Sequence, residues 1–148
     1  LIFAGIDPGW STGGVALLSG NWAEVHDMPI FHKAGVDTEQ LMDILRSVEI
    51  ELCVVESQST RPGQGIVSAG KIMFAYGQIL TCLIATKTPH RIVTAGKWKR
   101  SSGVPRDKDG ARMMAQQLYP SVSQRLRRKK DEHRAEALLL AAYGEALG

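Results

Sequence analysis

Cysteine is scarce in this chain, with Cys53 and Cys82 the only two among 148 residues, each inside an apolar run. Two such residues make no disulfide framework, and their setting is that of reduced core side chains in a cytosolic protein. No cluster of cysteine and histidine has zinc-site spacing, which excludes a zinc-ribbon or zinc-finger architecture. Long hydrophobic runs are missing as well. The most apolar segment, Ile72 to Ala85, is interrupted by Tyr76, Gly77, Gln78 and Thr81. It reads as too short and too polar to span a bilayer, so no membrane partner is expected. No signal-peptide pattern precedes the first strand-like run, and the chain opens on Leu1 rather than Met. A cytoplasmic location and a trimmed N-terminus are the expectations. Repeats, low-complexity tracts and linkers are also absent, so residues 1–148 read as one domain.

The composition that remains is ordinary for a folded protein: 44% hydrophobic and 22% charged residues, enough for a real core. The net charge of +3 conceals an asymmetry. Residues 1–86 carry four Lys/Arg against nine Asp/Glu, whereas residues 87–134 carry fourteen against four. A basic half beside an acidic half suggests a polyanion contacting one face, the plainer alternative being a solvated Lys/Arg surface.

Along the chain, "LIFAGI" is a continuous apolar run ending at Asp7, the pattern of a strand buried on both faces. "DPGWSTGG" supplies a tight turn, "GGVALLSG" a second strand and "NWAEVHDMPI" a weaker third. "DTEQLMDILRSV" reads as a helix capped by Asp37 or Thr38, with Leu41, Ile44, Leu45 and Val48 as its apolar stripe. "ELCVVES" is again a short apolar run, ending in Glu56, followed by the Gly-rich loop "SQSTRPGQG" and a long helix from about Ile66 to Thr86. In that helix Ile72, Met73, Tyr76, Ile79, Leu80, Leu83 and Ile84 match the helical period. "HRIVTA" is a further strand, "GKWKRSSGVPRDKDG" a basic loop, "ARMMAQQLYP" a helix stopped by Pro120, and "SVSQRLRRKK" a basic connection to a final helix. An antiparallel meander followed by alternating helix and strand specifies an α/β fold with a mixed sheet flanked by helices.

Asp7 and Glu56 share a placement: each is the first charged residue after a strand-like apolar run. If the two strands are neighbours, their Cα atoms lie about 5 Å apart and both carboxylates reach one cation. Ligands of such sheets gather beyond the carboxyl ends of the parallel strands. The plainer alternative is that Asp7 caps a turn and Glu56 begins a loop. "DEHRAEALLLAAYG" adds a third carboxylate. Leu139, Leu140, Tyr143 and Leu147 form one helical stripe, and Glu136 and His133 continue it backwards. A carboxylate on the buried edge of a helix needs a partner. Asp131, at the helix start, is an N-cap or a further site residue. An all-oxygen set suits Mg²⁺ or Mn²⁺ rather than zinc.

"GIDPGWSTGGVALL", "CVVES" and "DEHRAEALLLA" together resemble the three acidic motifs of the RuvC-type Holliday junction resolvases, members of the ribonuclease H-like superfamily. The resemblance covers nearly the whole chain in the family's order, and "RPGQG" and "KKD" look closest to its bacteriophage branch. Position by position, Asp7 matches the Asp ending the first strand, and Glu56 the Glu ending the fourth. Glu136 matches the last acidic residue of the C-terminal helix, usually Asp. His133 stands where the family has Asp or His. Two departures are the extra methylene of Glu136 and the lack of an aromatic residue soon after Glu56, where the bacterial enzyme has a Phe thought to wedge the junction.

The resemblance implies a homodimeric nuclease that hydrolyses phosphodiesters of branched DNA with two Mg²⁺ ions, Mn²⁺ substituting, to leave 5′-phosphate and 3′-hydroxyl ends. Asp7 would bridge the ions, with Glu56 on one and Glu136 with Asp131 or His133 on the other. His133, if neutral, is alternatively the group that positions or deprotonates water. Arg61, Lys97, Lys99, Arg100, Arg106, Lys108 and Arg112, with Arg125, Arg127, Arg128, Lys129 and Lys130, would grip DNA phosphates. Trp98 either stacks on a base or packs in the core. Val67 and Phe74, lying off the main stripe of the long helix, with Gly70 and Gly77 beside them, fit a helix that packs on both the sheet and a second copy, and equally a helix buried within one chain. Two rival readings are an actin-like or sugar-kinase ATP-binding lobe, whose first phosphate loop has a similar Asp-Gly-Thr pattern, and an inactive module that only binds branched DNA. The first leaves Glu136 and the basic tract unexplained; the second leaves every acidic position filled without a use.

Overall fold

The computed structural model describes residues 1–148. Five strands form one sheet: β1 (Ile2–Asp7), β2 (Gly14–Ser19), β3 (Trp22–Asp27), then, later in the chain, β6 (Ile50–Glu56) and β7 (His90–Val93), in the spatial order β3-β2-β1-β6-β7. The first three strands make the antiparallel meander, and β1, β6 and β7 run parallel. β1 is central, and its residues from Phe3 to Asp7 are all buried, as its unbroken apolar run requires when both faces are covered. The register pairs Ile6 with Val55, which sets Asp7 beside Glu56 one residue further on.

Helices α1 (Thr38–Arg46) and α2 (Ile66–Ala85) cover one face of the sheet. Their core includes Ile6, Val15, Leu41, Leu45, Ile79 and Leu83. Asp37 is the α1 cap, accepting the Gln40 N–H at 3.1 Å. The other face carries α3 (Ala95–Ser102), α4 (Lys108–Leu118) and α5 (Glu132–Leu147), packed around Leu18, Val54, Trp98, Leu126 and Leu138. Two short 3-10 segments, Pro120–Leu126 and Lys129–Asp131, join α4 to α5.

α5 is buried on nearly every side, from Ala135 through Ala141, rather than along one stripe, and Leu147 at its end is exposed. A helix apolar all round belongs in an interior, and two glycines admit it there. A Cβ at Gly5 of β1 would meet Ala137 O at 1.9 Å, and one at Gly14 of β2 would meet His133 O at 2.2 Å. The bare backbone at these positions lets α5 lie directly on β1 and β2.

Three elements differ from the sequence reading. "GKWKRSS" is a helix, α3, not a loop: the Thr94 hydroxyl accepts the Lys97 N–H at 3.3 Å, and Gly103, at φ 65, closes the other end. A small hairpin, β4 (Ile30–Phe31) with β5 (Gly35–Val36), precedes α1. On α2 the buried side chains are Ala75, Ile79, Cys82 and Leu83, while Met73 and Ile84 of the expected stripe face outward. At 20 residues α2 is, by length and composition, long and apolar enough to cross a bilayer, contrary to expectation. One side of it nevertheless packs in the core, and Gln78 pairs with the Val36 backbone at 2.9 Å.

Candidate metal centre

Three elements deliver one carboxylate each to the end of the sheet: Asp7 from β1, Glu56 from β6 and Glu136 from the first turns of α5. One oxygen of each lies within 4.8 Å of the others. Asp7 and Glu136 are buried, and Glu56 is half-buried. Each carboxylate has one oxygen held by a different donor. His133 Nδ1 lies 2.8 Å from Asp7 Oδ2, Trp98 Nε1 donates to Glu56 Oε1 at 2.9 Å, and Lys99 Nζ donates to Glu136 Oε1 at 3.0 Å.

Burial first, and then the charges of Asp7 and Glu136, push the Glu56 carboxyl above the usual range, although the Trp98 N–H and the Lys99 ammonium pull against them. Glu136 is raised for the same reasons, burial and then Asp7, with Lys99 and His133 opposing. His133 is raised because its hydrogen bond to Asp7 outweighs the cost of burying the cation. A carboxylate only accepts, so Nδ1 carries the proton and only Nε2 is left for other work. The donor set is thus three crowded carboxylates whose repulsion Lys99 and His133 only partly offset, and a hard divalent cation fits it.

Asp131 departs from its expected role. It is buried, but its carboxylate accepts the Arg128 N–H at 2.9 Å and the Arg128 guanidinium at 3.0 Å, and lies 3.5 Å from Arg134. Burial alone would raise its pKa, yet the Arg128 bonds outweigh that and lower it. Asp131 therefore fixes the chain entering α5 and stands outside the carboxylate cluster. Arg112 departs likewise. Its guanidinium turns inward to the Leu126 and Arg127 carbonyls, at 3.3 and 2.6 Å, which ties α4 to the α5 approach and leaves it mostly covered rather than free at the surface. Arg61, Lys97, Arg100, Arg106, Arg127, Lys129 and Lys130 are exposed. Lys108 is exposed beside Glu132 at 3.0 Å, and Arg128 is exposed although paired. Arg125 reaches the Val25 carbonyl at 3.1 Å. Two contacts lay beyond the sequence reading: Lys99 touches the carboxylate cluster itself, and Trp98 is a hydrogen-bond donor to it.

A mixed five-stranded sheet in this order, flanked by helices and carrying carboxylates at the ends of β1 and β6, is the ribonuclease H-like fold. Solved structures of RuvC and of a viral Holliday junction resolvase share this fold. Thermus thermophilus RuvC, solved in complex with a Holliday junction substrate, superposes with a TM-score of 0.76 at 18% identity, covering 100% of this chain and 96% of that one. The fowlpox virus Holliday junction resolvase superposes with a TM-score of 0.59 at 13% identity over 100% of both chains. No protein-family model and no curated protein sequence matches the chain.

The raised acids and His133 set a pH dependence. A group whose folded pKa is raised stabilises the protein at low pH and loses that contribution as pH climbs through the folded value. For Glu56 and Glu136 the loss begins above the ordinary ~4.3, and for His133 above the ordinary ~6.5. Binding a divalent cation displaces these protons, so its stabilisation grows with pH. At 100 times Kd it reaches about 2.7 kcal/mol, a Tm rise of roughly 5–10 °C. Thermal scans with Mg²⁺ or Mn²⁺ should show a larger rise at pH 8 than at pH 5.5. An equal rise at both, or none, would remove the carboxylates from metal binding.

Proposed function

We propose that the protein is a divalent-metal-dependent endonuclease that nicks branched DNA, four-way junctions foremost, leaving 5′-phosphate and 3′-hydroxyl ends. The observation that carries this reading is the convergence of Asp7, Glu56 and Glu136 at the end of a RuvC-type sheet. Mg²⁺ is the natural cation for all-carboxylate donors, two ions being the family's number, and Mn²⁺ its substitute. When bound, such ions polarise the scissile phosphate, lower the pKa of water and stabilise the leaving oxygen.

The side chains have separable tasks. Asp7, Glu56 and Glu136 hold the cations. His133 orients Asp7 through Nδ1–H, and only when the ring is neutral is Nε2 a site for accepting a proton. Lys99 offsets negative charge beside Glu136. The exposed cations of α3, of the loop before α4 and of the approach to α5 grip phosphates without reading bases, which suits recognition by branch shape. The same reading places the protein in the cytoplasm with its DNA, that of a bacterial host if the chain is phage-encoded. A second copy would supply the second nick. On α2, Val67, Gly70, Phe74, Gly77, Thr81 and Ile84 form an exposed stripe at three- and four-residue spacing, the pattern of a helix that packs on another helix. The ATP-lobe reading leaves the third carboxylate, on α5, without a role. The inactive-module reading leaves a complete acidic cluster without one.

A substrate panel tests the proposal. With Mg²⁺, a synthetic four-way junction should be nicked at symmetry-related positions, faster than a flap or fork and far faster than linear duplex. Binding should weaken steeply with salt. Equal rates on duplex and junction would remove the branched-DNA assignment.

A further inference from the structure

Trp98 is fully buried in the core beneath α3, yet its one polar atom points at the carboxylate cluster. Its indole N–H donates to Glu56 Oε1 at 2.9 Å, and no other side chain donates to Glu56. The next residue, Lys99, donates to Glu136 Oε1 at 3.0 Å, while its ammonium lies 5.6 Å from the centre of the Trp98 ring. Consecutive residues of one short helix thus hold one oxygen on each of two carboxylates that come from β6 and α5.

The two donors differ in kind. Lys99 is a flexible cation that an entering metal would repel, whereas Trp98 is neutral, uncharged at any pH, and locked by core packing. A neutral, immobile donor keeps its bond whether or not a cation is present. It leaves Oε2 of Glu56 as the oxygen without a protein partner.

We infer that Trp98 is a positioning residue for the metal centre: its N–H fixes the Glu56 carboxylate so that a single oxygen is presented to the cation, and it couples the basic helix α3 to metal affinity. The inference rests on the metal-site reading above. Partners of this kind that orient a ligating side chain commonly change affinity by about 10–100-fold when removed.

The test is Mn²⁺ affinity of the full chain, by calorimetric titration and by the paramagnetic signal of free Mn²⁺. Trp98→Phe removes the N–H and keeps most of the ring. Because that change disturbs the core, two unnatural residues installed at position 98 alone isolate the hydrogen bond. Benzothienylalanine replaces N–H by sulfur at nearly the same shape, and 7-azatryptophan retains the donor. Trp98→Phe and the benzothienyl protein should bind Mn²⁺ about tenfold or more weakly, and the azatryptophan protein should match wild type. A merely structural Trp98 would give equal affinities in the two isosteric proteins, and benzothienyl affinity within twofold of wild type overturns the inference. Asp7→Asn separates the two readings. If it loses Mn²⁺ while the benzothienyl protein does not, only the role of Trp98 fails. If wild type itself binds no Mn²⁺, the metal centre and the role of Trp98 fail together.

Discussion

Asp7→Asn is expected to reduce junction nicking by about 10²–10³-fold or more while the protein stays folded. Asp7 lies at the end of the central strand, adjoins both other carboxylates, and holds His133 at 2.8 Å. The amide keeps the size of the side chain and removes its charge, so a metal held by three anions is left with two. Stability should change little. Loss of the His133 pairing is offset by relief of the repulsion that helps raise Glu56 and Glu136. The same substitution removes the main cause of the raised His133 pKa, which should fall toward the ordinary ~6.5. Single-turnover nicking, with the His133 ring titrated by NMR, checks both effects. Unchanged nicking would exclude Asp7 from the reaction, and an unmoved His133 pKa would exclude the contact.

The largest structural effect is expected at Gly5. A Cβ there would come within 1.9 Å of Ala137 O and 2.5 Å of Ala141 N, both backbone atoms of α5 that cannot swing aside. Gly5→Ala must therefore push α5 off β1 or fail to fold, at a cost of roughly 3 kcal/mol or more and a Tm loss of about 10 °C. Because α5 carries Glu136 and β1 carries Asp7, whatever protein remains folded should also bind metal more weakly. Gly96→Ala is the control: beyond the adjoining backbone of α3 nothing lies within 4 Å of the added methyl, and stability should stay unchanged or rise by up to about 1 kcal/mol. Thermal melts of the two variants decide the point. A Gly5→Ala protein as stable as wild type would mean that α5 does not lie on β1 as described.

The parts of this architecture legible beforehand are those written in local pattern. "LIFAGID" and "ELCVVE" each show an apolar run stopped by a carboxylate, and in the fold these are the adjacent parallel strands β1 and β6. Glu136 stood out because a charge interrupts an apolar helix, and it arrives at the same point. Helix α3 was illegible because its one buried side chain, Trp98, stands in a run of Lys, Arg, Ser and Gly with no apolar period to detect. The contacts of Trp98 and Lys99 with carboxylates about forty residues away follow from how α3 packs, which no local pattern encodes. Charge and position in the sequence leave Asp131 open between a helix cap and a site residue, and set Arg112 among the basic surface. In the fold each satisfies backbone or guanidinium groups at the entrance to α5, roles fixed by three-dimensional proximity rather than residue type.

The central claim is that Asp7, Glu56 and Glu136 form one divalent-metal nuclease centre. Its most direct test is nicking of a four-way junction by the wild-type chain as Mg²⁺ or Mn²⁺ is titrated into metal-free protein, with EDTA as the blank. The account predicts no nicking in EDTA, a rate that rises with metal occupancy, and products ending in 5′-phosphate and 3′-hydroxyl. Nicking that persists in EDTA, or metal binding that never produces a nick, would contradict it.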